Sequence, residues 1–564
     1  MRKILFFSVA ALAAVALTSC SKQGALSADN VNVTPTPLEV VGSEVTATIN
    51  ATFPEKFMKK KVTLEVVPVL KYEGGETTAP STSFQGEKVQ GNATTVQYKV
   101  GGNYTIRATF PYRDEMLQSD LYLRCIAQKG SKTTALPDVK VGYGVVATGD
   151  LYKRALASAT PALGEDTYQR VVKQKQEAQI KYLVNQANVR ASELKTNSIQ
   201  DFVKILKEIT QNQETLQLNN IEVSAYASPE GRYEINERLA EQRQNTSSAY
   251  VRDQLKENKL RTDVDTRYTA EDWEGFQQMV AASNIQDKDV ILRVLSMYQD
   301  PQEREQQIRN MSVVYDELAK GVLPELRRAR LIANYEVIGR SDEQIQQQFT
   351  EDATKLNIEE LLYGAAKQPN DALKKAWYEK AAQIYPNDVR PLNNLASLAY
   401  QQGDVATAKS LLAQAKGVNA KAAEVATNEA LLALLEGNTD QAELSLAAGA
   451  GSTSYDEILG NLNLAKGNYA AAASNLAGIN TNSAALAQIL NKDYAAAAAT
   501  LVGIQNPDAL TSYLSAILGA RQNNENAVIS GLTSAIQQDK TLATRAAQDL
   551  EFANFQTQVA NLLK

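Results

Sequence analysis

From Leu38 to Ala147 apolar residues return at every second position. Val45, Ala47, Ile49, Ala51 and Phe53 alternate with polar neighbours, as do Val62, Leu64 and Val66, then Tyr104, Ile106, Ala108 and Phe110. Gly74-Gly75 and Gly101-Gly102 punctuate the runs. A period of two broken by such turns predicts short antiparallel strands, and their number predicts an all-β sandwich over 38–147. The stretch 148–173 has no sustained period and reads as a linker with some helical character. Ile180, Tyr182 and Val184 then alternate as in a half-buried strand. Ile199, Phe202, Val203, Leu206 and Ile209 form a helical stripe, opened by Ser198 with Asp201 three residues on in the manner of a capping box. Ile221, Val223 and Ala225 predict the next strand. A helix follows from about Arg232 to Glu257, then a strand over Asp263–Thr269. A last strand, Arg330–Ile338, has Leu331, Ala333, Tyr335 and Val337 on one face. Alternating strands and helices define an α/β layer over 174–340, interrupted by a charged amphipathic helical insertion at about 270–326.

From Ser341 to Lys564 leucine and alanine dominate, and the pattern repeats. Leu392, Leu395, Ala396, Ala399, Gly403-Asp404, Ala408, Leu412 and Ala415 mark one unit. Gly437-Asn438 with Ala442 and Leu446 come 34 residues after the first glycine, and Gly467-Asn468-Tyr469 with Ala472 and Leu476 follow after 30 more. Lys492-Asp493-Tyr494 and then Asn523 continue the series. An earlier unit ends in Trp377-Tyr378, Ala381 and Pro386-Asn387-Asp388. These positions resemble the small and large sites of tetratricopeptide repeats. In such an all-α solenoid each helix pair leaves an apolar face that only the next pair covers. The resemblance implies that residues 341–564 bind a peptide or protein segment.

The N-terminus carries an address. Met1-Arg2-Lys3 is a positive start, Ile4–Leu17 a short apolar run, and Leu17-Thr18-Ser19-Cys20 its end. The pattern is that of a signal peptide over 1–19, too short for a bilayer-spanning helix. Its ending resembles a bacterial lipobox, which implies lipidation of Cys20. Ser21 resembles the corresponding residue of lipoproteins sorted to the outer membrane, and residues 21–25 lack the acidic cluster of surface-export signals. The expected location is the outer membrane, lipid-anchored and facing the periplasm, with 20–37 as a polar tether holding Thr-Pro-Thr-Pro. Cys125, in LYLRCIAQ, is expected as a buried strand residue.

The chain has 564 residues, 44% apolar and 22% charged, with a net charge of −6 and no histidine. At roughly 150 residues per domain, the length allows about three or four domains. No basic face marks a nucleic-acid partner. The lack of histidine removes the commonest general base and metal ligand. Carboxylate and lysine chemistry stay open, but no motif points to a catalytic residue, a metal or a cofactor. Glu271, Asp272 and Glu274 read as a solvated helix start.

One segment carries candidate binding chemistry. IEVSAYASPEGRYEINERLAEQR, from Ile221 to Arg243, runs from a strand through a Ser-Pro-Glu-Gly turn into a helix. It resembles the ligand loop of the OmpA-like peptidoglycan-binding domain. The 270–326 insertion, with its Asp-Trp-Glu-Gly start and Pro-Glu-Leu-Arg end, resembles those of Bacteroidetes members. The resemblance implies that Tyr226, Gly231, Asn236 and Arg243 occupy ligand-site positions, Arg243 binding a carboxylate of the cell-wall peptide. The family's aspartate position holds Ser228, which brings no charge, and Glu230 is the nearest substitute. The bland alternative for Arg243 is a solvated arginine or one paired with Glu237 or Glu241. The expected whole is a non-enzymatic envelope scaffold or tether: lipid in the membrane, repeats on a protein partner, and the central domain on peptidoglycan. The alternatives are a protein-only scaffold of an outer-membrane assembly or secretion complex and, less favoured, a cell-wall enzyme.

Overall fold

The computed structural model describes residues 23–24, 26–285, 288–310 and 312–564. Cys20, the expected signal peptide and the start of the expected tether lie outside the described residues. Two compact units emerge: the described residues up to Glu165 together with Gln368–Lys564, and Asp166–Lys367.

The first unit opens with eleven strands: β1 Val31–Val41, β2 Glu44–Phe53, β3 Thr63–Tyr72, β4 Gly75–Thr78, β5 Thr82–Gly86, β6 Thr94–Val96, β7 Gly102–Pro111, β8 Ser119–Lys129, β9 Lys132–Ala135, β10 Val139–Tyr143 and β11 Val145–Val146. One sheet runs β11-β1-β2-β7 and the other β10-β8-β3-β5-β6. Their inward residues, among them Val45, Ile49, Phe53, Leu64, Val66, Ile106, Phe110 and Leu121, form one core, as the period of two requires. Cys125 is a buried free thiol in it, and burial pushes its pKa up to about 11.

The tether ends earlier than the sequence suggests. β1 begins at Val31, so Thr34-Pro35-Thr36-Pro37 belongs to the sheet. The prolines are tolerated because the ladder with β2 is broken between Thr34 and Glu39, where no ladder donor is needed.

The linker also proves to be structured. A 3-10 turn at Thr148–Leu151 leads into α1, Tyr152–Leu156. Residues 157–158 form a turn, and 159–165, outside any helix or strand, lie against the repeats.

The second unit contains β12 Val171–Lys181, α2 Asn197–Gln211, β13 Leu216–Tyr226, α3 Tyr233–Glu257 and β14 Asp263–Thr269. The insertion α4 Trp273–Ala282, α5 Lys288–Met297, α6 Pro301–Asn310, α7 Ser312–Gly321 and α8 Leu323–Leu326 comes next, then β15 Arg328–Ile338. The sheet order is β12-β15-β13-β14, with β13 and β14 parallel and the other pairs antiparallel. Phe202 and Leu206 of α2 and Val251 and Leu255 of α3 pack on Ile180, Ile221, Val223 and Leu331 of the sheet. The insertion has its own small core around Phe276, Val280, Ile291 and Leu318. Ser198 does not cap α2. The cap position is Thr196, whose hydroxyl donates to the Glu193 carbonyl (2.8 Å) instead of accepting from the helix.

Two helices assigned above to the repeats belong to this unit: α9 Asp342–Asp352 and α10 Ile358–Ala366. Arg340 pairs with the buried Glu360 (2.8 Å), and the Thr167 N–H donates to Glu359 (2.7 Å), which ties α10 to the α/β layer.

The repeats therefore begin after Lys367. α11 Asp371–Ile384 precedes five helix pairs: α12 Arg390–Gln401 with α13 Val405–Val418, α14 Ala423–Leu435 with α15 Thr439–Leu446, α16 Tyr455–Ala465 with α17 Tyr469–Asn475, α18 Asn482–Leu490 with α19 Tyr494–Gly503, and α20 Ala509–Arg521 with α21 Glu525–Gln538. The short α22 Leu542–Gln548 and α23 Gln556–Leu562 close the chain. Each pair turns the same way. A left-handed residue (Gly403, Gly437, Gly467, Lys492 or Asn523) ends the first helix. The next residue caps the second: Asp404 accepts from Thr407 N, Asn438 from Gln441 N, Asp493 from Ala496 N and Asn524 from Ala527 N, while Asn468 makes no such bond.

The sheets and the repeats share one unit through direct contacts. Gly42, at φ +64°, lies so close to the repeats that a Cβ would stand 2.4 Å from the Ala465 carbonyl oxygen. Arg545 donates to the Ala147 carbonyl (3.0 Å), and Thr148 donates to Glu551 (2.5 Å), which also pairs with Arg521.

Candidate functional site

Among the several places in the described residues where polar side chains come together, two bear on function. The first is the loop between β13 and α3. Ser228, Glu230, Gly231, Asn236 and Arg243 surround a cavity of about 230 Å³, joined by Leu239, Arg309, Tyr315 and Arg327. Tyr226 does not line it. Its carbonyl accepts from Arg243 (2.9 Å), and its ring lies under Arg328.

Ser228 and Glu230 act as a pair. The Ser228 hydroxyl and the Arg327 Nε both donate to Glu230 Oε1, each at 2.8 Å. A carboxylate thus does stand beside the serine, but it is held by an arginine from the end of the insertion. Asn236 donates to the Glu230 carbonyl (3.1 Å) and fixes the turn to the helix. Gly231 needs its left-handed φ of +94° rather than space, since nothing lies within 4 Å of a Cβ there. Its N–H donates to Glu305 of α6 (2.7 Å), so the insertion reaches this loop too.

Arg243 is neither solvated nor paired with Glu237 or Glu241. It is 1% exposed. Nε donates to Gln186 O (3.1 Å), one terminal nitrogen to Tyr226 O (2.9 Å) and the other to Leu183 O (3.3 Å). The guanidinium also lies over the Tyr182 ring (5.2 Å). Burial lowers its pKa to about 10, a value that keeps it cationic at neutral pH. Arg243 nevertheless lines the cavity, together with Arg309, Arg327 and Glu230. Arg327 is paired with Glu230 and Arg309 with Glu305, so Arg243 is the cation of the lining whose hydrogen bonds go to carbonyls and not to a carboxylate.

Asp272 departs from the solvated reading. It is 5% exposed, caps α4 by accepting from Gly275 N (2.9 Å), and pairs with Arg328 (3.2 Å). Burial raises its pKa, against the Gly275 bond and Arg328, which lower it.

The second place is the repeat face lined by the first helices, where residues 157–165 lie. Asn428 grips Ala162 at both ends of its peptide unit, accepting from the N–H (2.7 Å) and donating to the carbonyl (2.8 Å). Asn394 grips Gly164 in the same way, at 2.8 and 2.9 Å. Asn393 and Ser397 add donors to the Ala162 carbonyl at 2.9 and 3.0 Å. Thr160 N donates to Glu457 (3.2 Å), Leu163 N to Thr453 (3.3 Å), and Arg390 donates to the Glu165 carbonyl (3.0 Å). Preceding this strap, Leu151, Tyr152 and Leu156 join the apolar core of the repeats. The first helices are consequently buried on nearly every side, whereas α13 buries only Ala408, Leu412 and Ala415.

These asparagines went unmarked in the sequence, yet they left a signal. Asn394 and Asn428 are 34 residues apart, one repeat, and both are buried. A buried amide recurring at the repeat period marks a backbone to be satisfied.

No family model matches the chain, and no curated protein matches it. Among solved structures it is similar to a tetratricopeptide repeat protein from Parabacteroides merdae: 17% identity, 44% of this chain and 98% of that chain, TM-score 0.28. It is also similar to pilF of Pseudomonas aeruginosa, at 17% identity over 38% of this chain and 99% of that chain, TM-score 0.27. Yeast Tom70 matches at 11% identity over 65% and 83%, TM-score 0.24. The elements themselves define N-terminal β-sheets, a mixed α/β middle and a helical region whose pairing is TPR-like.

Proposed function

We propose that this protein is a non-enzymatic scaffold of the cell envelope, an outer-membrane lipoprotein anchored at Cys20 and facing the periplasm. The observation that carries the scaffold reading is the repeat face, where buried asparagines hold the backbone of a non-helical segment as a peptide-binding module would. The central unit is read as an OmpA-like domain. Its loop cavity, with Arg243, Arg309 and Arg327 in the lining, suits a carboxylate of the peptidoglycan peptide. Sandwich, central unit and repeats would then join membrane, cell wall and a protein partner, with avidity from several weak contacts.

The protein-only scaffold has one observation in its favour. Glu230, the nearest substitute for the missing aspartate, is already engaged by Arg327 and Ser228. Co-sedimentation with purified sacculi at low salt separates the two. Binding that drops in Glu230→Gln supports the wall contact. Binding equal to wild type in that variant removes Glu230 from the site, and failure of the wild-type chain to co-sediment leaves the protein-only scaffold. Cys20→Ala is expected to release the protein from membranes, read by fractionation. Crosslinking in intact cells tests for the partner, and zymography on peptidoglycan tests the non-enzymatic reading.

A further inference from the structure

We propose that the first-helix face of the repeats is a recognition site for an extended, uncharged segment of small residues, that residues 157–165 occupy it in cis, and that a partner's segment of the same kind enters by displacing them. This rests on the scaffold reading above and adds what the repeats bind and what stands in the way.

The chemistry of the face defines the ligand. Hydrogen bonds from the repeats reach the strap's backbone at Thr160, Ala162, Leu163, Gly164 and Glu165, and Glu457 also engages the Thr160 side chain. A face that reads backbone accepts many sequences, provided that the peptide is extended. Space then selects among them. Ala159, Pro161, Ala162 and Gly164 are buried, while Ala157, Ser158, Thr160, Leu163 and Glu165 point out. A Cβ on Gly164 would stand 2.5 Å from Arg390 Cγ, so the innermost position takes only glycine unless Arg390 moves. No charged side chain of the occupant is buried.

The strap is also built to be separable. Its neighbour, 148–156, is an apolar anchor through Leu151, Tyr152 and Leu156. The strap itself contributes small side chains and backbone bonds, which a competing backbone reproduces one for one. An occupant held this way exchanges without dismantling the anchor, since the apolar side chains it withdraws, Ala159, Pro161 and Ala162, are small.

The test uses the full chain and a fluorescent peptide of residues 156–167. Wild type, with its strap in place, is expected to bind the peptide weakly. Gly164→Val, which sets a side chain against Arg390, is expected to bind it at least about tenfold tighter, because the competing internal segment is weakened. Adding Asn428→Ala to that variant is expected to abolish the gain. A folded Gly164→Val protein that binds no better than wild type, or whose gain survives Asn428→Ala, overturns the proposal. If Gly164→Val does not fold, hydrogen exchange on the wild-type chain decides. Excess peptide is expected to speed exchange at Ala162 and Gly164 by about tenfold or more while leaving α13 and α21 unchanged. Strap amides that respond to no concentration of peptide mean a permanent seal and overturn it. A chain that crosslinks to envelope partners but fails here loses only this proposal. A chain that passes here but finds no partner in cells loses the envelope reading instead.

Discussion

Arg243 shows how one residue can answer to two demands. On the proposed OmpA-like reading this helix arginine would meet a ligand carboxylate, while three backbone carbonyls hold it in place. Arg243→Met is therefore expected to destabilise the α/β unit by about 2–4 kcal/mol, since it leaves those acceptors unpaired, and Arg243→Lys is not expected to restore it. Denaturant unfolding monitored by exchange in α3 checks both. Glu457 presents the opposite case. Burial raises its pKa, against the Thr160 N–H that it accepts from. Its folded value lies above the unfolded one, so the stability it contributes is complete below pH 4.5 and is lost as pH rises through the folded pKa. Glu457→Gln keeps an acceptor for Thr160 and removes the buried charge. It is expected to raise stability at pH 7 by on the order of 1 kcal/mol, and the gain should vanish near pH 4 in a pH series of unfolding midpoints.

At the scale of elements, the turn inside each helix pair follows one rule with different residues. Gly403, Gly437 and Gly467 take the left-handed position without strain, whereas Lys492 takes it at φ +65°. Lys492→Gly is expected to stabilise the repeats by about 0.5–1 kcal/mol in thermal unfolding, because a Cβ is disfavoured there. This regularity explains what the sequence made legible. Periods of two and of one helical turn predict the sheets, the α/β layer and the pairs, because those periods reflect which side faces a core. The loop cavity was also legible, as the residues from Ser228 to Arg243 are close in sequence. The strap was not. Residues 157–165 have no period of their own, and their conformation is imposed by Asn394 and Asn428, which lie more than 200 positions away. The same limit hid Arg327 and Glu305, which the insertion brings to the loop.

At the scale of the molecule, the N-terminal sheets, read from the sequence as a sandwich of their own over 38–147, form one unit with the repeats. Tyr469 illustrates the join, donating to the Val40 carbonyl (3.3 Å) and accepting from Gly42 N (3.4 Å). Calorimetry of the full chain is expected to show the sheets and repeats melting in one cooperative transition and Asp166–Lys367 in another. Deleting residues up to Glu165 should uncover the first helices and lower the midpoint of the repeats by several degrees, about what a loss of a few kcal/mol produces.

The strap's distant partners also set a timetable for synthesis. Gly164 emerges from the ribosome 230 residues before Asn394, the side chain that holds it. In the interval all of Asp166–Lys367 appears, a continuous stretch able to finish folding on its own schedule. The sheets must wait with their repeat-facing edge uncovered until the last helices arrive, a long-range closure of the slow kind. A chain interrupted before Lys564 would thus hold a completed centre between two unfinished ends, a species for chaperones and proteases to find.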